Sequence, residues 1–167
     1  MDMETRRTPI DLKELHRASA AGTCFICELI DRNPEFEHEI ICETDHAVAF
    51  LSKFPTMFGY CLVAPKRHLE QVTGDFSEAE YLDLQRVIYR VSEAVRKVLA
   101  PERVYILSLG SQRANAHVHW HIAPLPPGVP LAEQQYHALM HENGVVTPTK
   151  ESCVAFVKRL RECLRDL

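Results

Sequence analysis

The chain has 167 residues, of which 46% are apolar and 25% are charged, proportions that are typical of a globular domain with its own core. A formal net charge of −4 gives no electrostatic reason to expect a nucleic-acid polymer or a membrane surface as a partner. No apolar run approaches the roughly 18 residues of a membrane span, and the charged residues 1–7 resemble no export signal, so we expect a cytoplasmic protein. Nine histidines and six cysteines suggest a metal site, a histidine mechanism, or both.

A short helix and three strands are predicted in the first part of the chain. Pro9 is typical of the first turn of a helix, and it predicts a helix over residues 9–21. Short apolar runs, with turn residues at 45–46 between the first two, predict the strands that follow. These strands are expected at residues 39–44, 47–52 and 60–64.

A long amphipathic helix is predicted over residues 77–99. Ser77 can cap its first turn, Glu80 completes a capping box, and apolar residues recur at helical spacing as far as the stop at Pro101. The remaining predicted elements are two strands, 104–109 and 118–123, and two helices, 131–142 and 148–166. Strands grouped around one long helix predict the α+β class, with a mostly antiparallel sheet of about five strands packed with the long helix and a C-terminal helix.

The sequence Cys24-Phe25-Ile26-Cys27 brings two thiolates within reach of one ion. Zinc usually takes four such ligands, so two more would have to come from elsewhere in the chain. A redox dithiol is an alternative, but such a pair follows a strand, and residues 18–23 are not strand-like. The third alternative is that the pair has no chemical role.

Three histidines alternate with apolar residues in the segment 117–123, which reads His-Val-His-Trp-His-Ile-Ala. On a strand this alternation places His117, His119 and His121 on one face and the apolar side chains on the other. The histidines could hold a catalytic zinc, or one imidazole could attack phosphorus and form a covalent adduct. A catalytic zinc would need a carboxylate base, and the absence of Asp and Glu between residues 103 and 131 favours the nucleophilic histidine.

These residues resemble the histidine triad (HIT) superfamily, whose signature His-φ-His-φ-His-φ-φ fits residues 117–123 at every position. Three upstream segments resemble, in order, the zinc knuckle, the first hairpin and the Gly-His-x-Leu-Val-x-Pro-Lys-x-His segment of that family. These are residues 24–30, 43–51 and 58–68. The resemblance implies a HIT-like fold with one domain over residues 1–167. Its expected parts are an N-terminal helix and zinc knuckle (9–31), a core (39–127) and a C-terminal helical extension (131–167).

The resemblance implies a nucleotidyl hydrolase that acts at the α-phosphorus of dinucleoside polyphosphates or nucleoside phosphoramidates. His119 would be the nucleophile of a nucleotidyl-histidine intermediate, and His121 would contact the phosphate oxygens. In members with zinc, one metal is shared by four ligands, which correspond to Cys24, Cys27, His68 and His117. Four protein ligands leave no open position, so this zinc is expected to be structural.

The chain departs from the family pattern at positions that bear on substrate binding. Ser52 stands where the family usually has a ribose-binding Asp, and Tyr60 replaces the histidine of the Gly-His pair. The loop before the triad is shorter than in the family. Its polar residues and Ser52 are the candidates for substrate binding: Ser52, Ser111, Gln112, Arg113 and Asn115.

We expect a small nucleotide as the substrate, no membrane partner, and a homodimer through the long helix, as the resemblance implies. Two alternative functions remain open. Phosphate or a sugar phosphate could resolve the same adduct, which would make the protein a nucleotidyltransferase or phosphorylase. The exchange of Asp for Ser52 could also indicate a non-catalytic nucleotide-binding protein.

Overall fold

The computed structural model describes residues 6–13, 22–112 and 115–166. Five strands form one antiparallel sheet in the spatial order β1-β2-β3-β5-β4. The strands are β1 (Ile40–Glu43), β2 (Ala47–Leu51), β3 (Cys61–Pro65), β4 (Arg103–Ser108) and β5 (Trp120–Leu125). The helices are α1 (Phe25–Ile30), α2 (Glu78–Leu99), α3 (Tyr136–Leu139) and α4 (Lys150–Arg165).

The long helix α2 begins at the predicted capping box. The Ser77 hydroxyl accepts the Glu80 backbone N–H at 3.3 Å, and the Glu80 carboxylate accepts the Ser77 backbone N–H at 2.7 Å. The helix ends where Ala100 adopts a left-handed conformation with φ of 48°. Its apolar side chains, such as Ile88 and Val91, are buried against the sheet.

Both faces of the sheet are covered, as shown by β2, which is buried along its whole length. Ala49 and Leu51 point into a core that they share with α2 and α4. Val48 and Phe50 point the opposite way, into a second core completed by α1. The strand alternation therefore assigns successive residues to two different cores.

The predicted fold class is confirmed: one antiparallel five-stranded sheet packs with a long helix and a C-terminal helix. The continuous helix predicted over 131–142 is wrong. Gln135 has a φ of 55° and Met140 is extended, so the segment divides into α3 and two short 3₁₀ turns, Leu131–Glu133 and His141–Asn143. The helix predicted over 9–21 lies mostly outside the described residues, and of the described helices none is long and apolar enough to cross a membrane.

The strand predicted over 118–123 is shifted, since β5 begins only at Trp120. Trp120 pairs with Val63 on one side and Ser108 on the other, where β4 ends. Before that point the Val118 N–H bonds to the Leu69 carbonyl instead of to a sheet neighbour. His117 and His119 therefore precede the regular strand, and His121 lies in it.

Candidate metal and catalytic site

The four predicted ligands form a cluster that could hold a metal ion. One donor atom each of Cys24, Cys27, His68 and His117 lies within 4.8 Å of every other. The sulfur–nitrogen distances are 3.4 Å from Cys24 to His117, 3.2 Å from Cys27 to His68 and 3.5 Å from Cys27 to His117. A tetrahedral zinc with normal bond lengths separates sulfur and nitrogen ligands by about 3.6 Å, so the cluster has nearly the required size.

The four donors come from three separate parts of the chain. Cys24 is the N-cap of α1, and its sulfur accepts the Cys27 backbone N–H at 3.4 Å. One turn of helix therefore sets the spacing of the two thiols. His68 follows β3 and His117 precedes β5, two strands that pair within the sheet. Sheet pairing thus brings the two histidines to the helix start.

The second ring nitrogen of each histidine has an oxygen partner. His117 Nε2 lies 2.8 Å from the Pro65 carbonyl oxygen, and His68 Nε2 lies 3.3 Å from the Glu70 carboxylate. Each Nε2–H can donate to that oxygen, which leaves the lone pair on Nδ1, the atom that faces the thiols. This arrangement of partners is the one expected around metal-binding histidines.

Burial and neighbouring groups shift the pKa values of two of the ligands, and both shifts bear on the binding of a cation. Burial lowers the pKa of His117 to about 4, so its imidazole is neutral near pH 7, as metal binding requires. Burial, the Cys24 thiol and nearby carboxylates raise the pKa of Cys27 to about 12. A pair of thiolates at this position therefore depends on a compensating positive charge.

His119 is buried and has a defined hydrogen bond. Its Nδ1 lies 2.7 Å from the His117 carbonyl oxygen, so Nδ1–H donates and Nε2 retains the lone pair. Burial lowers the pKa of His119, and the hydrogen bond to the carbonyl partly opposes this effect. The neutral imidazole is the form that can act as a nucleophile.

His121 lies beside His119, with 4.8 Å between the ring centroids. Its Nδ1 is 3.1 Å from the Tyr60 hydroxyl, and the two rings meet edge to face. Burial lowers the pKa of His121 to about 3, with smaller contributions from His119 and His141, while the Leu109 carbonyl raises it. His121 is therefore a neutral group near pH 7.

An aromatic cluster adjoins His119 on the α1 side of the sheet. The Phe25 ring meets the His119 ring edge to face, with 6.1 Å between the centroids. Phe25, His38 and Phe50 also contact one another, with centroid distances of 5.1 to 6.3 Å. Phe50 is fully buried, so Phe25 and His38 are the partly exposed aromatic rings of this cluster next to the candidate nucleophile.

The predicted substrate-binding residues are less closely assembled. Ser52 follows β2, and its hydroxyl accepts the Phe54 backbone N–H at 3.3 Å. Ser111, Gln112 and Asn115 are exposed in the loop between β4 and the triad. That loop begins beside His121, since the Leu109 carbonyl is close enough to the His121 ring to raise its pKa. Arg113 lies outside the described residues.

Tyr60, His141 and the three members of the aromatic cluster were not among the predicted site residues. Tyr60 could have been noticed from its position in the Gly-His pair of the family pattern. No sequence pattern marks His141. Its Nε2–H donates to the Phe54 carbonyl at 2.9 Å, and this contact between remote segments holds the ring near His121. His38 joins the aromatic cluster through tertiary packing alone.

The fold and the three clustered histidines define the chain as a histidine triad protein. The profile of the HIT domain matches residues 33–127, more than half of the sequence, and the chain therefore belongs to the HIT family.

Relatives by sequence include an uncharacterized HIT-like protein of Saccharolobus solfataricus, 32% identical over 105 residues, which are 60% of this chain and 73% of that protein. Another is the adenosine 5'-monophosphoramidase hnt1 of Schizosaccharomyces pombe, 26% identical over 133 residues. That match covers 72% of this chain and 95% of the yeast protein.

Solved structures share the fold over most of their length. A hypothetical histidine triad nucleotide-binding protein from Sulfolobus tokodaii superposes with a TM-score of 0.68 at 26% identity, covering 86% of this chain and 93% of that one. A zinc-bound histidine triad family protein from Mycobacterium smegmatis gives a TM-score of 0.66 at 20% identity, covering 88% and 96%.

Proposed function

We propose that the protein is a nucleotidyl hydrolase that acts at the α-phosphorus of dinucleoside polyphosphates or nucleoside phosphoramidates. The observation that carries the proposal is the hydrogen bond from His119 Nδ1–H to the His117 carbonyl, at 2.7 Å. This bond leaves the Nε2 lone pair on a neutral, buried imidazole next to His121. The relationship to the yeast adenosine 5'-monophosphoramidase gives independent support for phosphoramidates as substrates.

The proposed reaction has two displacement steps. His119 Nε2 forms a bond to the α-phosphorus while the bond from phosphorus to the leaving oxygen or nitrogen breaks, and its electron pair stays on the leaving group, which takes up a proton. Water then forms a bond to phosphorus and loses a proton, and the phosphorus–nitrogen bond breaks so that its pair returns to Nε2. His121 contacts the phosphate oxygens in both steps.

The aromatic cluster is the proposed binding surface for the base. Phe25 and His38 are partly exposed there, the fully buried Phe50 packs behind them, and a nucleobase stacks favourably on exposed aromatic rings. Ser52 is proposed to bind a ribose hydroxyl. Ser111, Gln112, Arg113 and Asn115 are proposed to contact phosphate or leaving group, since their loop joins the triad.

The proposed metal is a structural zinc held by Cys24, Cys27, His68 and His117. Support comes from the sulfur–nitrogen distances of 3.2 to 3.5 Å, which fit a tetrahedral ion, and from the oxygen partners of both histidines. The zinc-bound relative from Mycobacterium smegmatis adds support for the kind of metal. With four protein ligands, the ion would fix the start of α1 against the triad.

The test of this function compares His119→Ala with the wild type on adenosine 5'-phosphoramidate and on a dinucleoside polyphosphate. We expect turnover to fall by roughly 10³-fold or more, while nucleotide binding measured by calorimetry persists. His46→Ala is the matched control, because His46 is an exposed turn residue between β1 and β2. Full turnover in His119→Ala would contradict the mechanism, and no turnover in the wild type would favour a purely nucleotide-binding protein.

Nucleotidyl transfer is the second candidate, because the same adduct can react with an acceptor other than water. Product analysis in the presence of inorganic phosphate distinguishes the two. With adenosine 5'-phosphoramidate as the substrate, hydrolysis gives AMP and ammonia, whereas a phosphorylase gives the nucleoside diphosphate ADP and ammonia. Appearance of the diphosphate would replace the proposed hydrolase by a transferase.

The proposal includes a single domain over residues 1–167 and a homodimer. A single domain is supported by α4, whose Phe156 and Leu160 pack in the same core as α2. Apolar side chains exposed on α2 and on the edge strand β4 offer a surface for a second copy: Leu82, Tyr89 and Ile106. Light scattering of wild type and Tyr89→Arg tests the dimer, and cell fractionation tests the predicted cytoplasmic location.

A further inference from the structure

The hydroxyl of Tyr60 is the hydrogen-bond partner of His121. Its oxygen lies 3.1 Å from His121 Nδ1, and the rings stand at 85° to each other with 5.8 Å between centroids. Tyr60 follows Gly59, and its backbone carbonyl accepts the Ser52 N–H at 3.0 Å. This backbone hydrogen bond fixes Tyr60 just before the start of β3, and with it the base of the phenol side chain.

The hydrogen bond has a preferred direction. Tyr60 is only 8% exposed, and burial raises the pKa of its phenol, so the hydroxyl keeps its proton at physiological pH. A protonated phenol that faces a single ring nitrogen satisfies itself by donating to that nitrogen. Nδ1 of His121 then supplies the lone pair, and the ring proton lies on Nε2.

The other side of the ring is consistent with this direction. His121 Nε2 is buried and has no hydrogen-bond partner among the described residues. The Leu109 carbonyl raises the pKa of this ring and so opposes part of the larger effect of burial. An unpartnered N–H in a buried polar site is free to bond to an incoming acceptor, and a phosphate oxygen is such an acceptor.

We infer that Tyr60 is a positioning residue that holds His121 as the Nε2–H tautomer, so that an uncharged imidazole can donate a hydrogen bond to a substrate oxygen. The inference deepens the proposed function, on which its catalytic part rests. It assigns a role to the residue at which this chain departs from the Gly-His pair of the family. A ring that stays neutral near pH 7 can donate from Nε2 only in this tautomer, which explains why the tautomer has to be fixed.

The first experiment observes the tautomer directly, without any substrate. Nitrogen-15 NMR of the His121 side chain in the full-length protein distinguishes a proton-bearing ring nitrogen from one with a lone pair. We expect the proton on Nε2 in the wild type and a mixture of tautomers in Tyr60→Phe. A wild-type proton on Nδ1, or an unchanged tautomer in Tyr60→Phe, would overturn the inference.

The second experiment measures kcat and KM on adenosine 5'-phosphoramidate. Tyr60→Phe is expected to lower kcat/KM by roughly 3- to 10-fold, the effect of one neutral hydrogen bond, and mainly through kcat. Tyr105→Phe is the matched control, because its hydroxyl also takes part in one hydrogen bond, with the Gln135 backbone N–H at 3.0 Å. An equal loss in both variants would contradict a specific role of Tyr60.

The outcomes separate this inference from the proposed function. The expected tautomer in a protein that turns over neither substrate would leave the positioning role in place and overturn the hydrolase. Turnover that depends on His119 but is unchanged in a folded Tyr60→Phe would support the hydrolase and overturn the positioning role of Tyr60. Tyr60→His supplies a second variant should Tyr60→Phe fold poorly, and recovery of the Nε2–H tautomer and of kcat by this imidazole would support the inference.

Discussion

The backbone carbonyl of His117 accepts the Nδ1–H of His119 at 2.7 Å, so a candidate metal ligand orients the candidate nucleophile. The side chain of His117 belongs to the Cys2His2 cluster, whereas its carbonyl belongs to the triad. A shift of His117 would therefore move the hydrogen bond that sets the tautomer of His119. This link predicts that a metal which touches no substrate nevertheless affects turnover.

Loss of the metal is expected to reduce both stability and activity. Cys27→Ser removes one ligand, and we expect zinc content to fall from about one to well below one per chain and the free energy of unfolding to drop by at least about 2 kcal/mol. Zinc analysis and thermal unfolding measure these effects. Cys153→Ser is the control, because this partly buried thiol packs against the other core. Retention of full stability and activity after complete zinc removal would contradict a structural role.

His121 predicts a pH dependence of stability. Its pKa is lowered by burial to about 3 in the folded protein, whereas in the unfolded chain it is near 6.5. Between these values the unfolded chain binds a proton that the folded protein does not. The contribution to stability is therefore complete above about pH 6.5 and is lost as the pH falls towards 3.

Denaturant unfolding of wild type and His121→Asn from pH 7 to pH 4 tests this dependence. We expect the wild type to lose stability more steeply than the variant, while the exposed-site control His46→Asn follows the wild type. Comparison of variants removes the contribution of the metal ligands, which all three proteins share. Parallel curves for wild type and His121→Asn would show that His121 is not the responsible group.

Gly59 is expected to tolerate no side chain. It has a φ of 82°, and a Cβ at this position would lie 2.5 Å from Leu99 Cδ1 and 3.1 Å from the Phe156 ring. Gly59→Ala should cost about 1 to 3 kcal/mol more than Gly128→Ala, which has a similar φ of 84° and no atom within 4 Å of the added Cβ. Chemical denaturation measures both. Equal losses would mean that backbone strain, and not packing, limits this position.

The capping box at the start of α2 predicts a separate, local effect. Ser77→Ala removes the hydroxyl that accepts the Glu80 N–H, and we expect a loss of about 1 kcal/mol in unfolding free energy with unchanged kcat. Glu78→Gln is the control, because this neighbouring residue takes no part in the box. A loss of turnover in Ser77→Ala would link α2 to the site more closely than the structure indicates.

Local sequence patterns are sufficient to predict the elements that depend on neighbouring residues. The capping box and helical spacing define α2, and period-two alternation assigns Val118, Trp120 and Ile122 to one core, as observed. The spacing of Cys24 and Cys27 also followed from sequence, because one helical turn brings their sulfur atoms together. Each of these features rests on neighbours within a few residues along the chain.

The contacts between distant groups could be read only from the three-dimensional fold. Strand pairing brings His68 and His117 to the cysteine pair, but β5 begins only at Trp120, so His121 alone of the triad lies in a regular strand. The contact of Tyr60 with His121 joins the residue that precedes β3 to β5, and His141 reaches the site through a segment that the sequence predicts to be helical. Such contacts depend on register and on backbone hydrogen bonds between remote segments, which no local pattern encodes.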